Sequence, residues 1–162
     1  MFRHLLPIVI FCCGLVLFNA CGSSVRYSSE KNSGRPSHVN DSPVAKALAA
    51  ARSWLGTPYL YGGTTRQGVD CSALMMFVFR EAGTTLPRTS RQQFMVGRAV
   101  ERRDLRAGDL VFFNTSGSGV SHVGLFVGND AFIHASSSQG VVREMMSAPY
   151  FIGRYMGARR VF

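Results

Sequence analysis

The hydrophobic pattern of the first 43 residues differs from that of the rest of the chain. Residues 5–18 form an apolar run of fourteen after a short basic start, whereas a membrane-spanning helix needs about 20. The run has the length of the hydrophobic part of a secretory signal, with an uncleaved membrane anchor as the alternative. Residues 22–43 contain seven Ser and few large apolar side chains, so they cannot bury a core. We predict a signal peptide over 1–20, a flexible tether over 21–43 and one folded domain over 44–162.

Three helical patterns open this domain. Ser42 is a favourable N-cap and is followed by Pro, so a helix is expected over residues 43–55. Asp70 can cap a second helix over residues 71–82. A third, shorter helix is expected to begin near Ser90.

After residue 105 the pattern changes to short runs rich in β-branched and aromatic residues, separated by Gly, Asn and Asp. The expected strands lie within residues 105–116, 122–128, 131–137, 140–145 and 155–162. Because the helices come first and the strands follow, the pattern favours an α+β fold in which N-terminal helices pack on an antiparallel β-sheet.

The charge of the chain narrows the range of partners. The net charge is +9, with 16 Arg against 2 Lys, and a basic surface of this kind can bind nucleic acid. A protein that carries an export signal does not meet nucleic acid. We therefore expect no nucleic-acid partner and an attraction to anionic envelope polymers and lipid head groups.

The end of the apolar run carries a candidate modification site. Ala20-Cys21-Gly22 resembles the lipobox of bacterial lipoproteins, although Phe18 and Asn19 depart from the usual pattern. We predict that Cys21 is lipidated and holds the protein firmly in the membrane by its acyl chains. An ordinary secretory signal with an incidental Cys is the alternative. The absence of Asp after the Cys indicates the outer membrane, with the protein facing the periplasm.

The four cysteines suggest two disulfides, but the predicted processing removes that interpretation. Cys12 and Cys13 leave with the signal and Cys21 takes the lipid, so Cys71 remains as the single free thiol. Cys71 follows Asp70 at the amino end of a predicted helix, where the helix dipole favours the thiolate and therefore a nucleophile. A buried structural Cys is the alternative, and the polar neighbours of Cys71 disfavour it.

Two histidines remain as candidate bases outside the predicted signal and tether. His122 and His134 lie in consecutive predicted strands. A two-residue turn at Asn129-Asp130 in regular register would place their imidazoles on opposite faces, because side chains alternate along a strand. A Cys–His pair oriented by a third group requires them on one face. We therefore predict an odd-length loop or a bulge between these strands.

Six segments between residues 45 and 160, taken in their order along the chain, resemble the NlpC/P60 family, a family of cysteine peptidases with a papain-like core. They are TPYLYGG (57–63), GVDCSAL (68–74), LPRTSRQQ (86–93), LRAGDLVFF (105–113), SHVGLFVG (121–128) and FIHAS (132–136). Ala73 departs from the family pattern, which usually has Gly there. The lipoprotein signal and short tether resemble most closely the Spr/MepS group of Gram-negative murein endopeptidases.

The resemblance implies a Cys-His-His triad. In it, Cys71 is the nucleophile, His122 is the general base and later the acid, and His134 orients His122. Tyr59 is implied to assist the oxyanion or the substrate.

Two residues that flank the nucleophile, Asp70 and Ser72, are implied to contact substrate. We expect no metal and no other cofactor, because one Cys and two His are too few for a closed structural zinc site.

The expected activity is hydrolysis of stem-peptide amide bonds in peptidoglycan by a monomer anchored in the membrane through Cys21. The bond is either the D-Ala–diaminopimelate crosslink, which the Spr-like resemblance favours, or the γ-D-glutamyl–diaminopimelate bond, which the wider family favours. A non-catalytic wall-binding lipoprotein and an acyltransferase on the related permuted fold are the alternatives.

Overall fold

The computed structural model describes residues 41–162. The predicted signal peptide, Cys21 and nearly all of the predicted tether lie outside the described residues. The helices are α1 (Pro43–Ser53), α2 (Cys71–Glu81), α3 (Ser90–Gln93) and α4 (Pro149–Ile152). The strands are β1 (Thr64–Thr65), β2 (Gly68–Val69), β3 (Arg98–Val100), β4 (Leu110–Phe113), β5 (His122–Gly128), β6 (Ala131–Ser136), β7 (Gly140–Met145) and β8 (Tyr155–Arg160). Within residues 41–162, no helix has both the length and the apolar character needed to cross a membrane.

One six-stranded sheet forms the centre of the domain. Its strand order is β3-β8-β4-β5-β6-β7, and all neighbouring strands are antiparallel. The last strand, β8, returns to lie between β3 and β4, while β1 and β2 form a separate small hairpin. The predicted α+β class and antiparallel sheet are confirmed, and each of the five predicted strand runs contains a strand.

The two longer helices begin where their caps predict. The Ser42 hydroxyl accepts a hydrogen bond from the backbone N–H of Ala45 at 3.1 Å, and the Asp70 carboxylate accepts one from that of Ala73 at 2.8 Å. These bonds satisfy backbone donors that have no partner in the first helical turn. α1 ends at Ser53, two residues earlier than predicted. It ends there because the chain tightens into a turn in which the Leu55 N–H bonds to the carbonyl of Arg52.

The two faces of the sheet carry separate apolar clusters because side chains alternate along each strand. The face covered by α1 and α2 includes Leu110, Phe112, Val123, Leu125 and Ile133. The opposite face carries Val111, Phe113, Phe126 and Phe132, which pack with Phe151 of α4. The two longer helices therefore cover one face, and the candidate histidines belong to the other, where α4 packs.

The β1–β2 hairpin, β3 and α4 were not predicted from the pattern. Each is only two to four residues long, too short to produce a periodic signal. α3 is also shorter than the expected third helix, and it begins with a capping box between Thr89 and Gln92.

Candidate active site

Cys71 is the first residue of α2 and lies among core side chains, with 8% of its surface exposed. Burial raises the pKa of its thiol to about 11, while the backbone N–H of Val123 acts in the opposite direction. Burial therefore acts against the thiolate that the helix dipole favours. Desolvation disfavours the charged sulfur more strongly than the helix end favours it. The resting group is a thiol.

The two candidate histidines face each other on the sheet. His122 Nε2 and His134 Nδ1 are 2.8 Å apart, and the rings meet nearly edge to face. Asn129 and Asp130 form the turn between β5 and β6, with φ of 51° and 57°. The strand register then shifts at Val127, which is one residue more on β5 than on β6. This extra residue places both imidazoles on one face of the sheet. The predicted bulge is confirmed.

Burial keeps both imidazoles neutral. It lowers the pKa of His122 to about 3, with His134 contributing in the same direction, and it lowers the pKa of His134 to about 4. A carboxylate oxygen of Glu144 lies 2.6 Å from His134 Nε2. At neutral pH, the site therefore holds a thiol and two neutral rings.

Glu144 is the residue of this cluster that the sequence did not reveal. It lies on β7 opposite Phe132 and two residues beyond Val142, the partner of His134. Because positions two apart on a strand share a face, the Glu144 side chain reaches the imidazole diagonally across the ladder. Only the pairing of β6 with β7 identifies this contact.

Tyr59 lines the same cleft as the candidate nucleophile. A short parallel bridge to Val69 places it beside the strand that leads into α2. Burial raises the pKa of its hydroxyl, and the nearby Cys71 and Asp70 add to that shift. The phenol therefore keeps its proton and remains a hydrogen-bond donor.

Asp70 and Ser72 are held by Arg88. The guanidinium donates to both carboxylate oxygens of Asp70 and to the hydroxyl of Ser72, which itself donates to Asp70. Although burial acts to raise it, these bonds and the cap bond hold the pKa of Asp70 below its ordinary value. The two residues are not among those that line the cleft, so their visible role is to fix the start of α2. Arg88 lies in a matching segment, yet the sequence assigned it no role.

The cleft has a volume of about 710 Å³, a size typical of ligand sites. Cys71, His122, His134 and Glu144 lie in its wall, and a hydroxyl-rich stretch over residues 136–138 lies beside them. Among the described residues, no group of three or more His, Cys, Asp or Glu could hold a metal ion. The arrangement suits nucleophilic attack on a carbonyl carbon with proton transfer through an imidazole.

Comparison with known proteins places the chain among related sequences. The model of the NlpC/P60 family matches residues 56–160. The chain is 46% identical over 109 residues to the murein DD-endopeptidase MepS/murein LD-carboxypeptidase of Escherichia coli K12, covering 67% of this chain and 57% of that protein. It is 45% identical over 112 residues to the probable endopeptidase NlpC of the same organism, covering 68% and 73%. The match thus spans little more than half of the first relative.

Solved structures give the same assignment. An NlpC/P60 family protein from Bacillus cereus superposes with a TM-score of 0.69 and 32% identity over 73% of this chain and 40% of that one. The NlpC/p60 domain of the peptidoglycan hydrolase SagA gives 0.63 and 27% identity over 72% and 97%. The papain-like character expected of the fold is therefore confirmed. Because the family model covers residues 56–160, well over half of the sequence, the chain belongs to the NlpC/P60 family.

Proposed function

We propose that this protein is a cysteine endopeptidase that hydrolyses stem-peptide amide bonds of peptidoglycan. One observation carries the proposal: a buried thiol and two imidazoles joined at 2.8 Å line a single cleft. The names of the relatives, which include a murein endopeptidase and a probable endopeptidase, support the substrate class. A non-catalytic wall-binding protein has no need of this cluster.

In the first half of the reaction, Cys71 Sγ bonds to the carbonyl carbon of the scissile amide while its proton passes to His122. His122 then donates that proton to the amide nitrogen, and the C–N bond breaks. The products of this half are a free amine and a thioester on Cys71. His134 holds the His122 ring in place through the 2.8 Å contact.

In the second half, a water molecule attacks the thioester carbonyl and His122 takes a proton from the water. The C–S bond breaks, and the proton returns to the sulfur. The carboxylic acid product leaves, and the thiol and neutral imidazole are restored. Because both groups begin and end neutral, His122 acts as general base and then general acid in each half.

The negative oxygen of the tetrahedral intermediate needs donors. The backbone N–H of Cys71 lies at the amino end of α2, where backbone donors lack helical partners. The protonated hydroxyl of Tyr59, in the same cleft, is the second donor that we propose. Asp70 and Ser72 lie outside the lining of the cleft, so the role that we propose for them is to hold the start of α2 rather than to contact the substrate.

The relatives point to two kinds of bond. MepS is named a DD-endopeptidase, which favours the D-Ala–diaminopimelate crosslink. A γ-DL-glutamyl hydrolase of Bacillus subtilis is 40% identical over 123 residues, covering 74% of this chain and 29% of that protein, which keeps the γ-D-glutamyl–diaminopimelate bond as the second candidate. We propose the crosslink as the first substrate to test.

Purified sacculi provide the test. The parent protein is expected to release soluble muropeptides, whereas Cys71→Ser and Cys71→Ala release none above background. Mass spectrometry of the new amino and carboxyl ends identifies the scissile bond and separates hydrolysis from acyl transfer. Release by Cys71→Ala at the parent rate would overturn the proposed mechanism.

The location of the enzyme is also proposed from the sequence. We place it at the outer membrane facing the periplasm, as a monomer held by a lipid on Cys21. The tether predicted over residues 21–43 lies almost wholly outside the described residues, and we propose that it lets the domain reach the wall. Labelling with a palmitate analogue tests the anchor: label on the parent and none on Cys21→Ala is expected, and an unlabelled parent contradicts it.

A further inference from the structure

We propose that Glu144 is a positioning residue that fixes the tautomers of both imidazoles, so that His122 presents an unprotonated nitrogen to Cys71. The inference rests on the proposed function, because it concerns how the base of that reaction is prepared. It starts from the 2.6 Å separation between Glu144 Oε2 and His134 Nε2. Glu144 lies outside the six segments that resemble the family, so the resemblance assigns it nothing.

The chemistry of the carboxylate sets the first tautomer. An ionised carboxylate only accepts hydrogen bonds, and a neutral imidazole carries a single N–H. At 2.6 Å from the carboxylate, His134 Nε2 must therefore hold the proton and donate it. His134 Nδ1 is left with a lone pair. The Glu144 side chain is 30% exposed, so water also reaches it.

The second tautomer follows from the first. His134 Nδ1, now an acceptor, lies 2.8 Å from His122 Nε2, so His122 Nε2 must donate. Because the neutral His122 ring also carries a single N–H, its Nδ1 is unprotonated. This nitrogen is the one free to receive the proton of Cys71. A single carboxylate thus orders two rings in series.

Without Glu144 the tautomers of the two rings are no longer fixed. The remaining neighbours of the His134 ring include Phe132, stacked at 4.6 Å, and Phe151, edge-on at 5.3 Å. These rings hold the imidazole in position but offer no lone pair to its N–H. The reverse arrangement, in which His134 Nδ1 donates to His122 Nε2, then becomes accessible. In that arrangement His122 Nδ1 carries a proton and cannot act as the base.

The test compares Glu144→Ala and Glu144→Gln with the parent chain. We expect Glu144→Ala to lower kcat by at least about tenfold with KM nearly unchanged, as for other groups that orient a reacting residue. The Gln amide oxygen can still accept from His134 Nε2, so Glu144→Gln is expected to recover part of the loss. Arg143→Ala is the matched control, because this neighbouring β7 residue is exposed and pairs with Ile133 rather than with the histidines.

The ring tautomers are measured directly by ¹⁵N NMR of the histidine side chains. The parent is expected to show Nε2–H on both rings, and Glu144→Ala a shift towards Nδ1–H while its backbone spectrum stays folded. A merely structural role for Glu144 would lower stability without moving the tautomers.

The outcomes separate this inference from the proposed function. If Cys71→Ala is inactive but Glu144→Ala keeps parental kcat or parental tautomers, the role of Glu144 is overturned and the peptidase stands. If Cys71→Ala remains active, the peptidase mechanism fails, and the role of Glu144 as an aid to its base fails with it.

Discussion

Gly124 leaves the space that His134 occupies. A Cβ at Gly124 would lie 3.1 Å from the His134 Cβ, 2.8 Å from the carbonyl oxygen of Ile133 and 2.6 Å from a ring carbon of Phe132. These atoms belong to the neighbouring strand, so they cannot all shift away from an added Cβ. The absence of a side chain here allows β6 to bring its imidazole next to that of β5.

Gly124→Ala is therefore expected to displace His134, lower kcat by about tenfold or more and reduce the free energy of unfolding by about 1–3 kcal/mol. Activity assays and urea denaturation measure the two effects. Gly153→Ala is the matched control, because nothing lies within 4 Å of its added Cβ. Parental kcat in Gly124→Ala would contradict the steric role.

The sequence predicted those parts of the site that follow from local rules. Asp70 as a cap places Cys71 at a helix start, and the alternation of side chains turns the requirement for two histidines on one face into a prediction about the turn. The bulge at Val127 satisfies that requirement. The helix start depends on neighbours in the chain, whereas the bulge was predicted from the requirement that both imidazoles share a face.

Features that depend on pairing between distant segments were not accessible. The contact of Glu144 with His134 requires the register of β7 on β6. The ionisation state of Cys71 depends on how deeply α2 packs against the sheet. The helix dipole was read correctly as a local effect, but desolvation, which arises only in the folded core, outweighs it.

The pH dependence of activity follows from the neutral resting forms of the Cys71 thiol and the His122 ring. With the pKa of Cys71 raised to about 11 and that of His122 lowered to about 3, the thiol and the free base coexist through mildly acidic and neutral pH. We expect kcat/KM on a soluble muropeptide to vary less than about threefold between about pH 5 and pH 8. A fall of tenfold or more on acidification would instead support a thiolate–imidazolium pair.

The same burial makes the fold sensitive to acid. Unfolded histidines titrate near 6.5, whereas the pKa values of His122 and His134 fall to about 3 and about 4 in the folded protein. Between these limits the unfolded chain binds protons that the folded protein does not. The contribution of the two histidines to the free energy of unfolding is therefore complete above about pH 6.5 and decreases as the pH falls. Urea denaturation is expected to show a loss of about 2 kcal/mol or more by pH 4. His122→Asn should show a shallower loss, and equal slopes for the two proteins would be inconsistent with a titrating His122.

The cap at Asp70 is expected to matter for both stability and catalysis. Asp70→Ala removes the bond to Ala73 and the partner of Arg88, so we expect a loss of about 2 kcal/mol in the free energy of unfolding and a lower kcat. Asp70→Asn keeps the cap and should lose less. Ser42→Ala removes the equivalent cap of α1, away from the thiol, and should cost about 1 kcal/mol without affecting kcat. If both Ala variants leave kcat unchanged, the cap does not position Cys71.

The hydroxyl of Tyr59 is expected to act on the transition state. If it donates to the oxyanion, Tyr59→Phe lowers kcat by about 100-fold and leaves KM nearly unchanged, because the ground-state carbonyl gains little from that donor. If it only contacts substrate, KM rises instead and kcat is retained. Tyr61→Phe is the matched control, since Tyr61 also lines the cleft but is 89% exposed, where water replaces a lost hydroxyl at little cost. Steady-state kinetics on one soluble muropeptide distinguish these results, and a rise in KM alone would remove Tyr59 from the oxyanion site.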